Sequence, residues 1–195
     1  MSAALTRAET LTALRARLGQ TPLRTLERRS TGLGLLDTWL GGWPSQGLVE
    51  LVGAPGTVRL GLVTPLLVEL IAQGRPIAVV DPGGIFYPPG AGLCNNQVLL
   101  VRPPAGRAGW AAEQIVRSGA LEAVLLLGLS RPGRAGAVRL VRAVEASRCL
   151  VFLVNESPDP DLSVALRLEL RQDELWCTRS RSGHEGERRR ILRGG

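Results

Sequence analysis

Lysine does not occur in this chain: all 24 basic residues are arginine. GC-rich coding accounts for that choice without any function, yet it leaves no lysine anywhere for a phosphate-binding loop. Histidine is present once, at His184, and the three cysteines, Cys94, Cys149 and Cys177, form no CxxC pair. An odd, scattered set of this kind argues against a zinc site or a disulfide frame and fits a reducing cytosol. No apolar run reaches membrane-spanning length, and the first residues carry arginine and glutamate without an apolar signal core. A cytoplasmic protein with no membrane partner is therefore expected.

What remains is an ordinary globular composition. The 195 residues are 45% hydrophobic, enough for one domain with a sizeable core and short appendages. The net charge of +7 is unevenly placed. Residues 1–30 hold six arginines against Glu9 and Glu27, and residues 176–195 hold six against Glu185 and Glu187. The body between them is close to neutral, with twelve arginines and thirteen acids. Basic ends point to acidic protein or nucleic-acid partners, or else to solvated, non-binding tails.

The most informative stretch is Gly53-Ala54-Pro55-Gly56-Thr57-Val58-Arg59-Leu60-Gly61. It follows an apolar run, Leu48 to Val52, that reads as a buried strand, and precedes helical spacing from Leu60 to Ala72. A glycine-rich turn between strand and helix is where backbone N–H groups and a helix N-terminus face an anion. Laid on GxxxxGK[ST], however, the register puts Gly53 first, then Val58 for the second glycine, Arg59 for the lysine and Leu60 for the hydroxyl that holds Mg²⁺. The place is that of a nucleotide site, with three of its four chemical positions replaced.

Three segments are expected: residues 1–22 as a helix and linker, 23–181 as the core, and 182–195 as a basic, disordered tail. In the first, Thr6-x-x-Glu9 is a capping box, Leu11, Leu14 and Leu18 form one stripe, and Gly19 is a natural stop. So short a helix must pack its leucines on its own body or on another protein. A second short helix is expected from Leu33 to Leu40, stopped by Gly41-Gly42, with a Trp43-Pro44 turn into the first strand. Pro76–Asp81, Gln97–Arg102, Leu121–Leu127 and Cys149–Val154 read as further buried strands. Helices over Trp110–Ser118 and Ala135–Ser147 alternate with them, and Ile85-Phe86-Tyr87-Pro88-Pro89 is expected to be irregular. Such alternation predicts an α/β fold, a mostly parallel sheet with helices on both faces. Past the acidic loop at Glu156–Asp161, Val164–Leu170 alternates and Leu175–Thr178 follows a turn, an antiparallel hairpin expected to close one edge.

The run from Ser30 to Gly53 resembles the segment entering the Walker A loop of RecA-type recombinases. Arg117 to Leu125 looks like their approach to the Walker B strand. Closer still is the resemblance to the ImuA family, RecA-like accessory proteins of bacterial damage-induced mutagenesis cassettes. It rests on Gly41-Gly42-Trp43-Pro44, Phe86-Tyr87-Pro88-Pro89, Trp110–Gln114 with Arg117-Ser118-Gly119, and Leu166–Glu169, in order over residues 30–180.

The resemblance implies a RecA-like core and shows what is missing from it. The catalytic glutamate, two residues after the strand-ending Asp81, corresponds to Gly83; the Walker B aspartate falls on Gly128. The nucleotide-sensing glutamine corresponds to Asn155 or Glu156, and the DNA-binding loop shrinks to Glu156–Ser163. No catalytic residue, cofactor or metal is expected. The implied role is a non-catalytic adaptor of SOS translesion synthesis that binds the polymerase-like protein ImuB and RecA. Through them it would reach an error-prone replicative-type polymerase, and it would also restrain recombination. Candidate partner contacts are Leu11, Leu14, Leu18, Phe86, Tyr87, Trp110, Arg188, Arg189 and Arg190. The aromatics Trp43, Phe86, Tyr87 and Trp110 are expected at the carboxyl ends of the strands, either plugging the vacated pocket or forming a docking face. The arginine run is left open between a solvated tail and a contact with nucleic acid or an acidic groove. Two other readings remain: an ATP-dependent DNA-binding protein using Arg59 and the tail, and a SulA-like cell-division inhibitor.

Overall fold

The computed structural model describes residues 27–93, 98–104, 106–129 and 133–191. Leu11, Leu14, Leu18 and the expected first helix lie outside the described residues. Among the described residues, ten strands and four helices follow in the order β1 (Arg28–Arg29), α1 (Gly34–Leu40), β2 (Trp43–Pro44), β3 (Gly47–Gly53), α2 (Arg59–Ala72), β4 (Ile77–Val80), β5 (Val98–Val101), α3 (Ala108–Arg117), β6 (Ala123–Leu127), α4 (Gly133–Ala146), β7 (Leu150–Asn155), β8 (Leu166–Arg171), β9 (Glu174–Ser180) and β10 (Arg188–Arg190). A 3₁₀ turn over Pro88–Ala91 gives regular shape to part of a stretch expected to have none.

The main sheet runs β10-β9-β8-β3-β7-β6-β4-β5. From β8 to β5 every neighbouring pair is parallel. Central strands β4, β6 and β7 are apolar on both faces, and β3 is so except at Glu50, because helices cover both. On one face Val49, Leu51, Ile77, Val79, Leu125 and Phe152 pack with Trp39 and Leu40 of α1 and Leu62, Leu66 and Leu70 of α2. On the other, Leu48, Val80, Val124, Leu126 and Leu153 pack with Ala112 and Val116 of α3 and Leu140 and Val144 of α4. Burying one such side chain contributes about 1.5–3 kcal/mol, so these two layers dominate stability.

Two glycines with positive φ follow α1. Gly41 ends α1 in the left-handed region at φ 71°, its N–H bonded to the Asp37 carbonyl at 3.0 Å. Gly42 (φ 102°) lies so close under β1 that a Cβ there would stand 2.2 Å from the Arg29 carbonyl oxygen.

Three expectations are corrected. Trp43-Pro44 is not a bare turn but β2, paired antiparallel with Arg28-Arg29. The hairpin formed by β8 and β9 does not close the edge, since β10 lies outside it, antiparallel to β9. The break expected at 182 is consequently absent through Ile191. Distant partners hold this polar strand in place. The indole Nε1 of Trp39 donates to Glu187 at 2.8 Å, Arg190 Nε donates to Asp173 at 2.8 Å, and the Arg188 and Arg189 guanidinium groups lie over Trp176 and Trp39 at 5.0 and 5.4 Å.

Candidate functional site

The loop after β3 emerges at the carboxyl edge of the parallel sheet, the side on which such sheets bind ligands. Here it folds in on itself. The Ala54 carbonyl accepts both the Thr57 N–H (3.3 Å) and the Thr57 hydroxyl (2.8 Å), so neither donor faces outward. Gly53 sits against β8, where a Cβ would come within 3.2 Å of the Leu170 carbonyl oxygen. Val58, at the second-glycine position, precedes α2 and is exposed, and Leu60 packs half-buried against the α1–α2 layer.

Arg59 decides the character of the site. Its Nη1 donates to the Asn155 carbonyl oxygen at 2.6 Å, tying the start of α2 to the end of β7. Burial lowers its pKa from the ordinary arginine value, with the charge of Glu156 opposing the shift. The cation therefore lies across the space between loop and sheet end and bonds to protein, where a phosphate-binding lysine would extend toward ligand.

The remaining positions serve the fold in the same way. Asp81, fully buried, accepts the backbone N–H groups of Ile85 (3.2 Å) and Phe86 (2.8 Å), with Arg102 Nε 3.9 Å away. Its carboxylate thus closes the turn that contains exposed Gly83. Gly128, left-handed at φ 55°, donates its N–H to Val154 at 3.1 Å. The Asn155 side chain turns away from the loop and donates to Glu50 at 3.2 Å.

Glu50 and Arg167, not among the expected site residues, form a buried ion pair beside the end of β7. Glu50 is fully buried on β3 and opposite Arg167 of β8 in the parallel register. Its carboxylate accepts from Arg167 Nε, from Asn155 and from the Asp159 N–H at 3.0 Å, while Arg167 Nη2 donates to the Asp159 carbonyl at 2.7 Å. The connection Glu156–Ser163, read as a shortened DNA-binding loop, is pinned over β3 by these bonds and by buried Leu162. A lone glutamate inside Leu48–Val52 was the available signal.

The aromatics divide. Trp43 is wholly buried, edge-on to Phe152 at 5.3 Å, and precedes β3, so it enters the core from the amino side of the sheet. Its expected place at the carboxyl edge is a correction: the β1–β2 pairing carries it to the opposite end. Phe86 is buried in the α1–α2 layer. Tyr87 and Trp110 are 70% and 58% exposed, as is Ile85 at 78%, all on carboxyl-edge connections or the first turn of α3. Trp110 borders a cleft of about 300 Å³ between α3 and α4 and carries the Arg107 guanidinium 5.9 Å above its ring.

Cys149 and Cys177 are buried, and burial pushes their thiols up to about 12 and about 11. Among the described residues no cluster of three His, Cys, Asp or Glu is placed to hold a metal ion. No model of a known protein family matches the sequence, and no curated protein is significantly similar to it.

Proposed function

We propose that this protein is a non-catalytic adaptor with a RecA-like core. It works in DNA-damage-induced translesion synthesis by binding an ImuB-type polymerase-like protein and RecA. The observation that carries the proposal is the hydrogen bond from Arg59 to the Asn155 carbonyl. With Thr57 bonded to Ala54 and Asp81 closing its own turn, the groups at the nucleotide positions are engaged in holding the fold. Exposed Ile85, Tyr87 and Trp110 supply apolar contact area on the same edge. A recombinase-shaped surface that does not turn over nucleotide would also restrain RecA filaments, a corollary of the same reading. Among the described residues no helix is long and apolar enough to cross a membrane, in keeping with partners met in solution.

Affinity capture tests the proposal. Immobilised full-length protein is expected to retain purified ImuB-type protein and RecA without added nucleotide, and Trp110→Ala with Tyr87→Ala to weaken retention at least about tenfold. Retention of neither protein would remove the adaptor reading.

A further inference from the structure

The main sheet ends on two strands of opposite character. At one edge β10 exposes Arg188, Arg189 and Arg190, and charge of this kind keeps an edge strand from pairing with another chain. At the other edge β5 reads Val98-Leu99-Leu100-Val101, four apolar residues of which none is buried and Leu99 is 51% exposed. Its inner neighbour β4 is buried throughout. Among the described residues no strand pairs with the outer side of β5.

The β4–β5 register fixes what that outer side presents. The Val101 carbonyl accepts the Asp81 N–H at 2.9 Å, so the backbone polar groups of Val101 point at β4. These groups alternate sides along a strand, which turns those of Leu99 to β4 and those of Val98 and Leu100 outward. Side chains alternate between the faces of the sheet. Val98 and Leu100, level with Ile77 and Val79, lie on the α1–α2 side, and Leu99, level with Ala78, lies on the α3–α4 side.

We infer that β5 pairs antiparallel with β5 of a second copy of this chain, about a twofold axis at Leu100, so that one sheet runs through both copies. The strand carries no charge, so its own copy meets no repulsion there. The first charge after it, Arg102, has Asp81 within 3.9 Å. A twofold axis normal to the sheet keeps each face on its own side, and Leu100 opposite Leu100 lets the outward N–H and C=O of both satisfy each other. In that register Leu99 meets Val101 across the junction, which covers the most exposed side chain of the strand. Pairing β5 with β10 of another copy would set the apolar strand against the arginines and would propagate instead of closing. This inference stands apart from the adaptor reading, since failed capture of ImuB-type protein and RecA would leave it intact.

Sedimentation of the full-length protein tests it. At about 100 μM a dimer is expected, and Leu99→Lys is expected to raise its dissociation constant at least about tenfold while the far-UV circular dichroism is kept. Leu100→Pro, which deletes an outward N–H and no bond to β4, is expected to act alike. A monomer at that concentration, or a dimer that either folded variant leaves intact, would overturn the inference. Cross-linking reads the axis in the otherwise unaltered strand. In a Cys94→Ser background, Leu100→Cys brings two thiols together at a Cα separation of about 5.5 Å, within disulfide reach. Oxidation is expected to give a covalent dimer at least about tenfold faster than Leu35→Cys, an exposed leucine of α1. Equal rates would overturn the inference as well.

Discussion

Arg59 ties the loop after β3 to the end of β7 by one side chain. The turn from Gly53, the helix start and the carboxyl edge are all in place, and the guanidinium lies across them to reach Asn155. Glu50 and Arg167 act at the same scale from the opposite face. A buried ion pair is weak evidence of net stabilisation, but removing one partner strands the other's charge in the core. Arg167→Met is expected to lower the unfolding free energy by about 3–5 kcal/mol, a large share of the roughly 5–15 kcal/mol typical of a domain. The double variant Glu50→Leu, Arg167→Met is expected to recover most of that loss. Urea titration reads both, and a loss below about 1 kcal/mol for the single change would show that the pair is not a fold determinant.

Among the elements, β4, β6 and β7 were legible as apolar runs, and β3 as one interrupted only by Glu50, a pattern that burial on both faces explains. The turn glycines marked the helix ends equally well, as at Gly41. β10 was illegible for the converse reason. Arg188–Arg190 has no apolar alternation, and its partners Trp39, Asp173 and Trp176 come from other parts of the chain, so a local pattern read as a tail. Within the candidate site, the loop's position and its losses could be read from register alone. The partner of Arg59 and the pairing of Glu50 with Arg167 could not, because each depends on which strands become neighbours.

The same edge carries a pH dependence. The hydrogen bond from Trp39 holds the Glu187 carboxyl below its ordinary range, desolvation opposes it, and His184 and Arg189 add to it. A carboxyl depressed on folding stabilises above its unfolded pKa, near 4.3, and loses that contribution as pH falls through the lower folded value. Below about pH 4, Trp39 emission is accordingly expected to change as the Glu187 contact is protonated and β10 loosens. In Glu187→Gln that transition should vanish while the neutral-pH spectrum is kept. An acid transition of the same size in the glutamine variant would exclude Glu187 as its origin.

At the scale of the whole molecule, a three-layer α/β frame presents at its carboxyl edge the self-bonded loop after β3 together with exposed Ile85, Tyr87 and Trp110. The function proposed for that edge is contact with other proteins, and the claim beneath it is that Arg59, bonded to the Asn155 carbonyl, does not serve a phosphate. Calorimetric titration of the full-length protein with Mg²⁺–ATP tests that claim most directly. No saturable heat is expected up to about millimolar nucleotide, whereas binding with a Kd near micromolar, about −8 kcal/mol, would contradict it.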